Sequence, residues 1–288
     1  MIPATGDRFR PFREEATAQG IPADDVERWL ATARPCVALT LADDDEFGPV
    51  VGRFGGPLLL PADIPDPEHP FVASVDLAAL PADATDLSLP PDGHLLFFAL
   101  PDGDGRGRPR GNVVHVPAGS AVTQRDTRSW NSRNDDEYNA IFEGYPQGPL
   151  RARAEVSLPY HTFVIPPGER EAVTLPGHPF CSELVEVWED THDSVARRGP
   201  LQIGGYANEE VVEFDPVDVA ASIAADAVRE GSWDGPASAD PADWVLLADW
   251  YAGSLRKREG STVHWVIQRE DLAARRFERV FTTVFWNP

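Results

Sequence analysis

The sequence predicts an α+β fold: two β-rich halves with mainly antiparallel sheets and a few flanking helices. Helical stripes are few, while short apolar runs bounded by Pro, Gly or Asp are many. The two kinds of segment do not alternate as a doubly wound parallel sheet requires. The 28 prolines and 23 glycines interrupt the chain too often for a helical bundle. At 288 residues, 42% of them apolar, the chain can bury a core, which excludes general disorder.

The elements follow in order. Pro22 opens the first helix, Asp24 and Asp25 fill its first turn, and Val26, Trp29, Leu30 and Ala33 share a face before Pro35 stops it. Residues 37–41, 71–77, 94–100 and 113–116 read as strands. A second helix starts at Asn134, with Tyr138, Ile141, Phe142 and Tyr145 on one face and Pro146 as terminator. Residues 162–165 read as a strand, and Leu184, Val187 and Trp188 mark a short third helix. Asp215-Pro216 opens a fourth helix carrying Val217, Ala220, Ile223, Ala224, Ala227 and Val228, with Gly231 just past its end. Strands 244–248, 263–268 and 280–286 finish the chain, and residues 101–111 and 232–243 are linkers.

One order of features occurs twice. Phe54-Gly55-Gly56, a strand ending in Asp76 and a strand led by Gly93 recur as Ile203-Gly204-Gly205, a strand ending in Asp249 and a strand led by Gly260. The recurrence suggests an internal duplication, with residues 1–148 and 149–288 as halves packed in one globular unit. Alternation then places Phe54, Phe71, Val75, Leu95 and Phe97 in one core, and Trp244, Leu246, Val263, Trp265 and Phe281 in another.

Charge narrows the function classes. There are 25 Lys and Arg against 47 Asp and Glu, a net charge of −22. That field repels phosphate, so nucleic acid and anionic membranes are excluded as partners and a basic protein is favoured. The N-terminus has no signal-peptide pattern, and the longest apolar run, 95–100, is too short to span a bilayer, so a cytoplasmic location is expected. Cys36 and Cys181 are expected to be reduced, buried thiols.

No catalytic or cofactor motif is complete, and no cofactor is expected. The Gly-rich run 103–111 lacks phosphate-loop spacing and reads as a hairpin loop, while Arg106 and Val113 stand where a calcium loop needs oxygen ligands. His178 and Cys181 have no second pair to complete a zinc site. Glu189, Asp190 and Asp193 around His192 favour its cation at a solvated helix end. No Ser stands in a nucleophile elbow. Acidic groups cluster at 43–46, 135–137 and 209–210 and at Glu186, Glu189 and Asp190, with Trp130, Trp188 and Trp233 as nearby anchors for a partner, although Trp188 reads as core.

The segment Phe54-Gly-Gly-Pro-Leu-Leu-Leu-Pro61, the strand at 71–77, the run 89–98, Gln202-Ile-Gly-Gly-Tyr206 and the ending at 270–277 together resemble the YwqG-like, or DUF1963, family over roughly 37–281. Ile64-Pro65 replaces its usual Trp-Pro. Ser74 and Ala248 stand where Gln is typical, Leu201 where His is, and Ala207 where Pro is. The family carries no established reaction, and the occurrence of members beside bacterial polymorphic toxins implies a toxin-neutralising role. The leading expectation is therefore an acidic, non-enzymatic protein-binding module, an immunity-like antidote to a basic toxin domain. The alternative is a small-ligand-binding protein or metal-dependent hydrolase with Asp76 and Asp249 meeting between the halves. Expected partner or cleft contacts are Asp76, Asp249, Gly55, Gly56, Gly204, Gly205, Tyr206, Trp130 and Trp233.

Overall fold

Ten strands of the computed structural model form one antiparallel sheet that curls until its two edges meet. The structure describes residues 7–41, 48–102, 109–126, 136–166, 171–208, 213–255 and 258–286. The strands are β1 (Arg34–Leu41), β2 (Val50–Phe54), β3 (Leu59–Pro61), β4 (Phe71–Asp76), β5 (His94–Ala99), β6 (Gly111–Val116) and β7 (Val122–Gln124). They continue as β8 (Gly148–Ser157), β9 (Phe163–Val164), β10 (Val173–Thr174), β11 (Leu201–Gly204), β12 (Trp244–Tyr251), β13 (Ser261–Gln268) and β14 (Phe281–Trp286). The helices are α1 (Arg10–Ala18), α2 (Ala23–Leu30), α3 (Asp136–Glu143), α4 (Cys181–Val195), α5 (Pro216–Arg229) and α6 (Arg269–Ala273).

Around the sheet the order is β14-β13-β12-β11-β1-β8-β2-β4-β5-β6. From either edge the strands come in the same succession, with β1 and β8 exchanged at the centre. The ladders agree in register. Ile203 pairs with Ala248, and Ala248 with Trp265; Phe54 pairs with Ala73, and Ala73 with Phe97. Each ladder has a bulge at the same place, between Phe71 and Ala73 in one and between Leu246 and Ala248 in the other. The edges join where the Arg110 amide, next to β6, donates to Thr282 O of β14 at 3.0 Å. Closure of this kind protects edge strands from pairing with other chains.

Curling also changes the core. Two separate cores are expected from alternation within strands, but the inward face of the sheet encloses one. Phe54, Val75, Leu95 and Phe97 share it with Val263 and Trp265. Phe97 and Trp265 meet edge to face with centroids 5.1 Å apart, and Trp265 Nε1 donates to Phe98 O at 3.1 Å. Phe71 instead faces outward, with Leu96, Phe98 and the β3 residues. Trp244, Leu246 and Phe281 also face outward and are covered by α5. A third outer cluster packs Phe12, Trp29 and Trp188 between α1, α2 and α4.

The helix at Pro22 forms as α2, and Asp215 caps α5 by accepting from the Val217 amide at 2.9 Å. The third helix is not short. α4 has 15 residues, because Cys181, Thr191, His192 and Val195 extend the buried stripe of Leu184, Val187 and Trp188. The N-cap expected at Asn134 and the Gly-rich segment 103–108 lie outside the described residues. Among the described residues, no helix is long and apolar enough to cross a membrane.

Candidate functional site: a polar cleft at the Gly-Gly-Tyr loop

β11 lies between β1 and β12, and the loop that leaves it is held from below. Directly paired residues of antiparallel strands share a face, so Ala38, Gln202, Asp249, His264 and Thr283 form one row across the outside of the sheet. The last four are all buried. Gln202 Nε2 donates to Gly204 O at 2.9 Å and to Tyr206 O at 2.8 Å. Asn208 donates through Nδ2 to Gln202 Oε1 at 2.9 Å and through its amide to Asp249 Oδ2 at 2.8 Å. Bonded in this way, Gln202 and Asp249 avoid an unmade-bond penalty and fix the path of residues 204–208.

Gly205 lets the loop pass close to its neighbours. Its φ is +75°, and a Cβ there would stand 2.8 Å from Cys36 Cβ and still nearer Ser157 Oγ. Ser157 Oγ in turn accepts from the Tyr206 amide at 2.8 Å. Tyr206 is thereby turned into a cleft of about 390 Å³. The Arg34 guanidinium lies 4.2 Å from the Tyr206 ring centroid, and the phenol donates to Thr32 O at 3.2 Å. His161 stands across from them, its ring 6.1 Å from that of Tyr206 and its Nδ1 3.7 Å from Asp215 Oδ2. Asp218, in the first turn of α5, and Asp240 complete the polar wall.

The electrostatics follow from this crowding. Burial lowers the His161 pKa and Arg34 lowers it further, although Asp215 pulls the other way, so the ring is neutral near pH 7. Burial pushes Asp218 up to about 7, and Asp215 and Asp240 add to the rise against the pull of Arg34. The cleft therefore offers a fixed cation stacked on an aromatic ring, a neutral imidazole, and a carboxyl that ionises near neutrality. Among the described residues, no hydroxyl or thiol is hydrogen-bonded to His161, as nucleophilic catalysis by a His-activated group requires.

Of the predicted site residues, Gly204, Gly205, Tyr206 and Asp249 come together here. Asp76 does not join them. It caps the turn after β4, accepting from the Ala78 amide at 3.0 Å. Four strands separate β4 from β12 in either direction around the sheet, and both Asp residues point outward, so they sit on opposite walls. They are not equivalent positions either. Asp249 pairs with Gln202, two residues before Gly204, and the residue paired with Arg53, two before Gly55, is Ser74. Gly55 and Gly56 both have positive φ, and Gly56 N donates to Gln147 Oε1 at 3.1 Å, away from the cleft. Trp233 meets Phe281 edge to face with centroids 5.1 Å apart, beneath Arg279, which commits it to the α5 cluster. Trp130 lies outside the described residues, as do the acidic runs at 43–46 and 209–210.

Two further expectations are settled by geometry. Cys36 and Cys181 are buried free thiols, and burial raises the Cys36 pKa. His192 is buried against Trp188, not solvated. Burial brings its pKa down to about 4, helped by Arg198, whose Nε donates to His192 Nδ1 at 3.0 Å. Sequence reasoning missed Arg34, His161 and Asp218, which come from three separate stretches with no shared motif. A larger trough of about 1,020 Å³ runs beside β6, where His115 rests against the Phe277 ring. No group of three His, Cys, Asp or Glu suited to a metal ion occurs among the described residues.

Comparison with curated proteins gives no match. The family model described as "Domain of unknown function (DUF1963)" matches residues 52–285, a span from β2 through almost all of β14 that takes in the Gly-Gly-Tyr loop. The chain belongs to the DUF1963 family.

Proposed function

We propose that this protein is an acidic protein-binding module, an immunity-like antidote that covers a basic partner domain. The observation that carries the reading is the outer stripe of α4. Glu183, Glu186, Glu189, Asp190 and Asp193 are all exposed there, while Leu184, Val187 and Trp188 anchor the helix to α1 and α2. Burial raises the Glu189 pKa, and Asp190 and Glu186 add their repulsion to the rise against the pull of Arg198. A basic surface relieves that repulsion on docking, and long-range attraction from a net charge of −22 speeds the encounter. Co-expression with the product of an adjacent toxin-like gene is the test. A salt-sensitive complex on gel filtration, lost in a Glu186→Lys/Asp190→Lys variant, is the expected result. A toxin that stays lethal and forms no complex refutes the reading.

We also infer that the halves arose by duplication, from the matching strand order, registers and bulges. On that reading the difference between them marks the specialised half. The row Gln202, Asp249, His264 and Thr283 corresponds to Arg53, Ser74, Leu96 and Val114. Only the second half holds a buried polar row under its Gly-Gly turn. The small-ligand alternative keeps one support, the cleft at Tyr206, and loses the symmetry of Asp76 and Asp249.

A further inference from the structure

The cleft does not end at Asp218. A second hollow of about 400 Å³ continues along α5 and shares Ile165, Pro166, Asp218 and Pro241 with it. This extension is mostly apolar, with Ser222, Asp226 and Arg229 as its polar lining beyond Asp218. Ile165 is 47% and Val219 45% exposed, and Ile223 lines the floor. Asp218 therefore stands where a polar chamber meets an apolar trough.

The charged groups around that junction are otherwise engaged. Arg34 covers Tyr206, and Asp215 caps α5 beside His161. Asp240 accepts from the Ala242 amide, and Arg269 Nε donates to Ala242 O. Arg229 is paired with Asp226. Among the described residues, the Asp218 carboxylate has neither a hydrogen bond nor an ion pair.

We propose that cleft and trough together bind one extended segment of a basic protein, placing an arginine or lysine side chain against Asp218 and an apolar side chain on Ile165, Val219 and Ile223. Charge complementarity selects this occupant. Asp215, Asp218 and Asp240 line one wall against Arg34 and Arg269, an excess of one carboxylate, and burial with Asp215 and Asp240 raises the Asp218 pKa against the pull of Arg34. A cation docked there removes that penalty. In an extended segment, side chains two positions apart point the same way about 7 Å from each other, which suits a polar chamber followed by an apolar trough. The inference rests on the proposed basic partner and names where that partner is gripped.

The test uses the full chain, isotopically labelled, and the tripeptide amide acetyl-Arg-Ala-Leu-NH2, whose arginine and leucine stand two positions apart. A second peptide carries citrulline, nearly the same shape without the charge, in place of arginine. Expected are chemical-shift changes at the Ile165, Val219 and Ile223 methyls, binding about tenfold tighter for arginine than for citrulline, and loss of that preference in Asp218→Asn. The Asp218 carboxyl should also titrate at lower pH with the arginine peptide bound. Equal affinity of the two peptides, or no shift at millimolar peptide, overturns the proposal. Binding of argininamide alone as tightly as the tripeptide overturns it in favour of a small cationic ligand. If a complex with a basic toxin forms and Asp218→Asn leaves it unchanged, the grip at Asp218 is refuted while the acidic module stands; if arginine-selective peptide binding occurs but no basic partner is found, the reverse holds.

Discussion

Replacing Gly205 with alanine makes two separable demands on the loop that presents Tyr206. The first is conformational. At φ +75° a residue with a Cβ pays roughly 1 kcal/mol for the left-handed region. The second is steric. The new Cβ would stand 2.8 Å from Cys36 Cβ and closer still to Ser157 Oγ. Cys36 cannot retreat, because it is buried and paired on both sides, with Gly204 and with Glu155. Ser157 can swing away only by releasing the Tyr206 amide, a net loss of about 1 kcal/mol. Overfilling so tight a spot adds about 2 kcal/mol, for a total near 4 kcal/mol. Gly231→Ala is the control. Gly231 has φ +70° just past α5, and an added methyl would meet nothing within 4 Å, so it should lose only about 1 kcal/mol. Urea unfolding followed by tryptophan fluorescence measures both, and thermal midpoints should fall by about 7 °C and about 2 °C respectively. Equal losses in the two variants refute the steric part of the reasoning.

Asp218 has a folded-state pKa of about 7 against an ordinary 3.8, so the folded state holds its proton more tightly. Stability should fall as pH rises from about 4 to about 7, and urea midpoints of Asp218→Asn should lack that slope. For His192 the sign is opposite. Its folded pKa of about 4 lies below the ordinary 6.5, so stability is lost as pH falls through that window, and its NMR titration should show no midpoint above pH 5. Burial raises the Cys36 pKa, so its thiol should resist a disulfide reagent at pH 8 in the folded protein and react once unfolded. Trp265→Ala removes the partner of Phe97 at the centre of the shared core and should cost about 4 kcal/mol by urea unfolding.

What could be read from the sequence depended on whether a signal was local. β4, β5, β12, β13 and β14 are legible because each is an apolar run between breakers. β8 is not. Its Leu150 and Ala152 point inward and Arg151 and Arg153 outward, and Ala and Arg are weak strand signals. It is a strand because β1 and β2 pair with it on both sides. Alternation told which residues of one strand share a face, but not that the sheet would curl both inner faces onto one core. The match of Asp76 with Asp249 failed for a related reason: both lie near the end of an apolar run, whereas equivalence is set by the ladder, which places Ser74 there. Of the cleft, the Gly-Gly-Tyr motif and the Asp215 cap were visible, since both are local turn chemistry. Arg34, His161 and Asp218 meet only because β1 inserts between β8 and β11.

That insertion has a consequence during synthesis. β1 is complete at Leu41, yet its neighbours in the sheet are β8, which begins at Gly148, and β11, which begins at Leu201. At ribosomal speeds of roughly 5–20 residues per second, β1 waits on the order of ten to thirty seconds for its second neighbour to be made. Throughout that interval Val37 and Leu39, fully buried in the finished protein, have no barrel to enter. The nascent chain thus carries this apolar strand with at least one edge open until β11, about 160 residues further along, has been made, which makes it a client for whatever shields such strands.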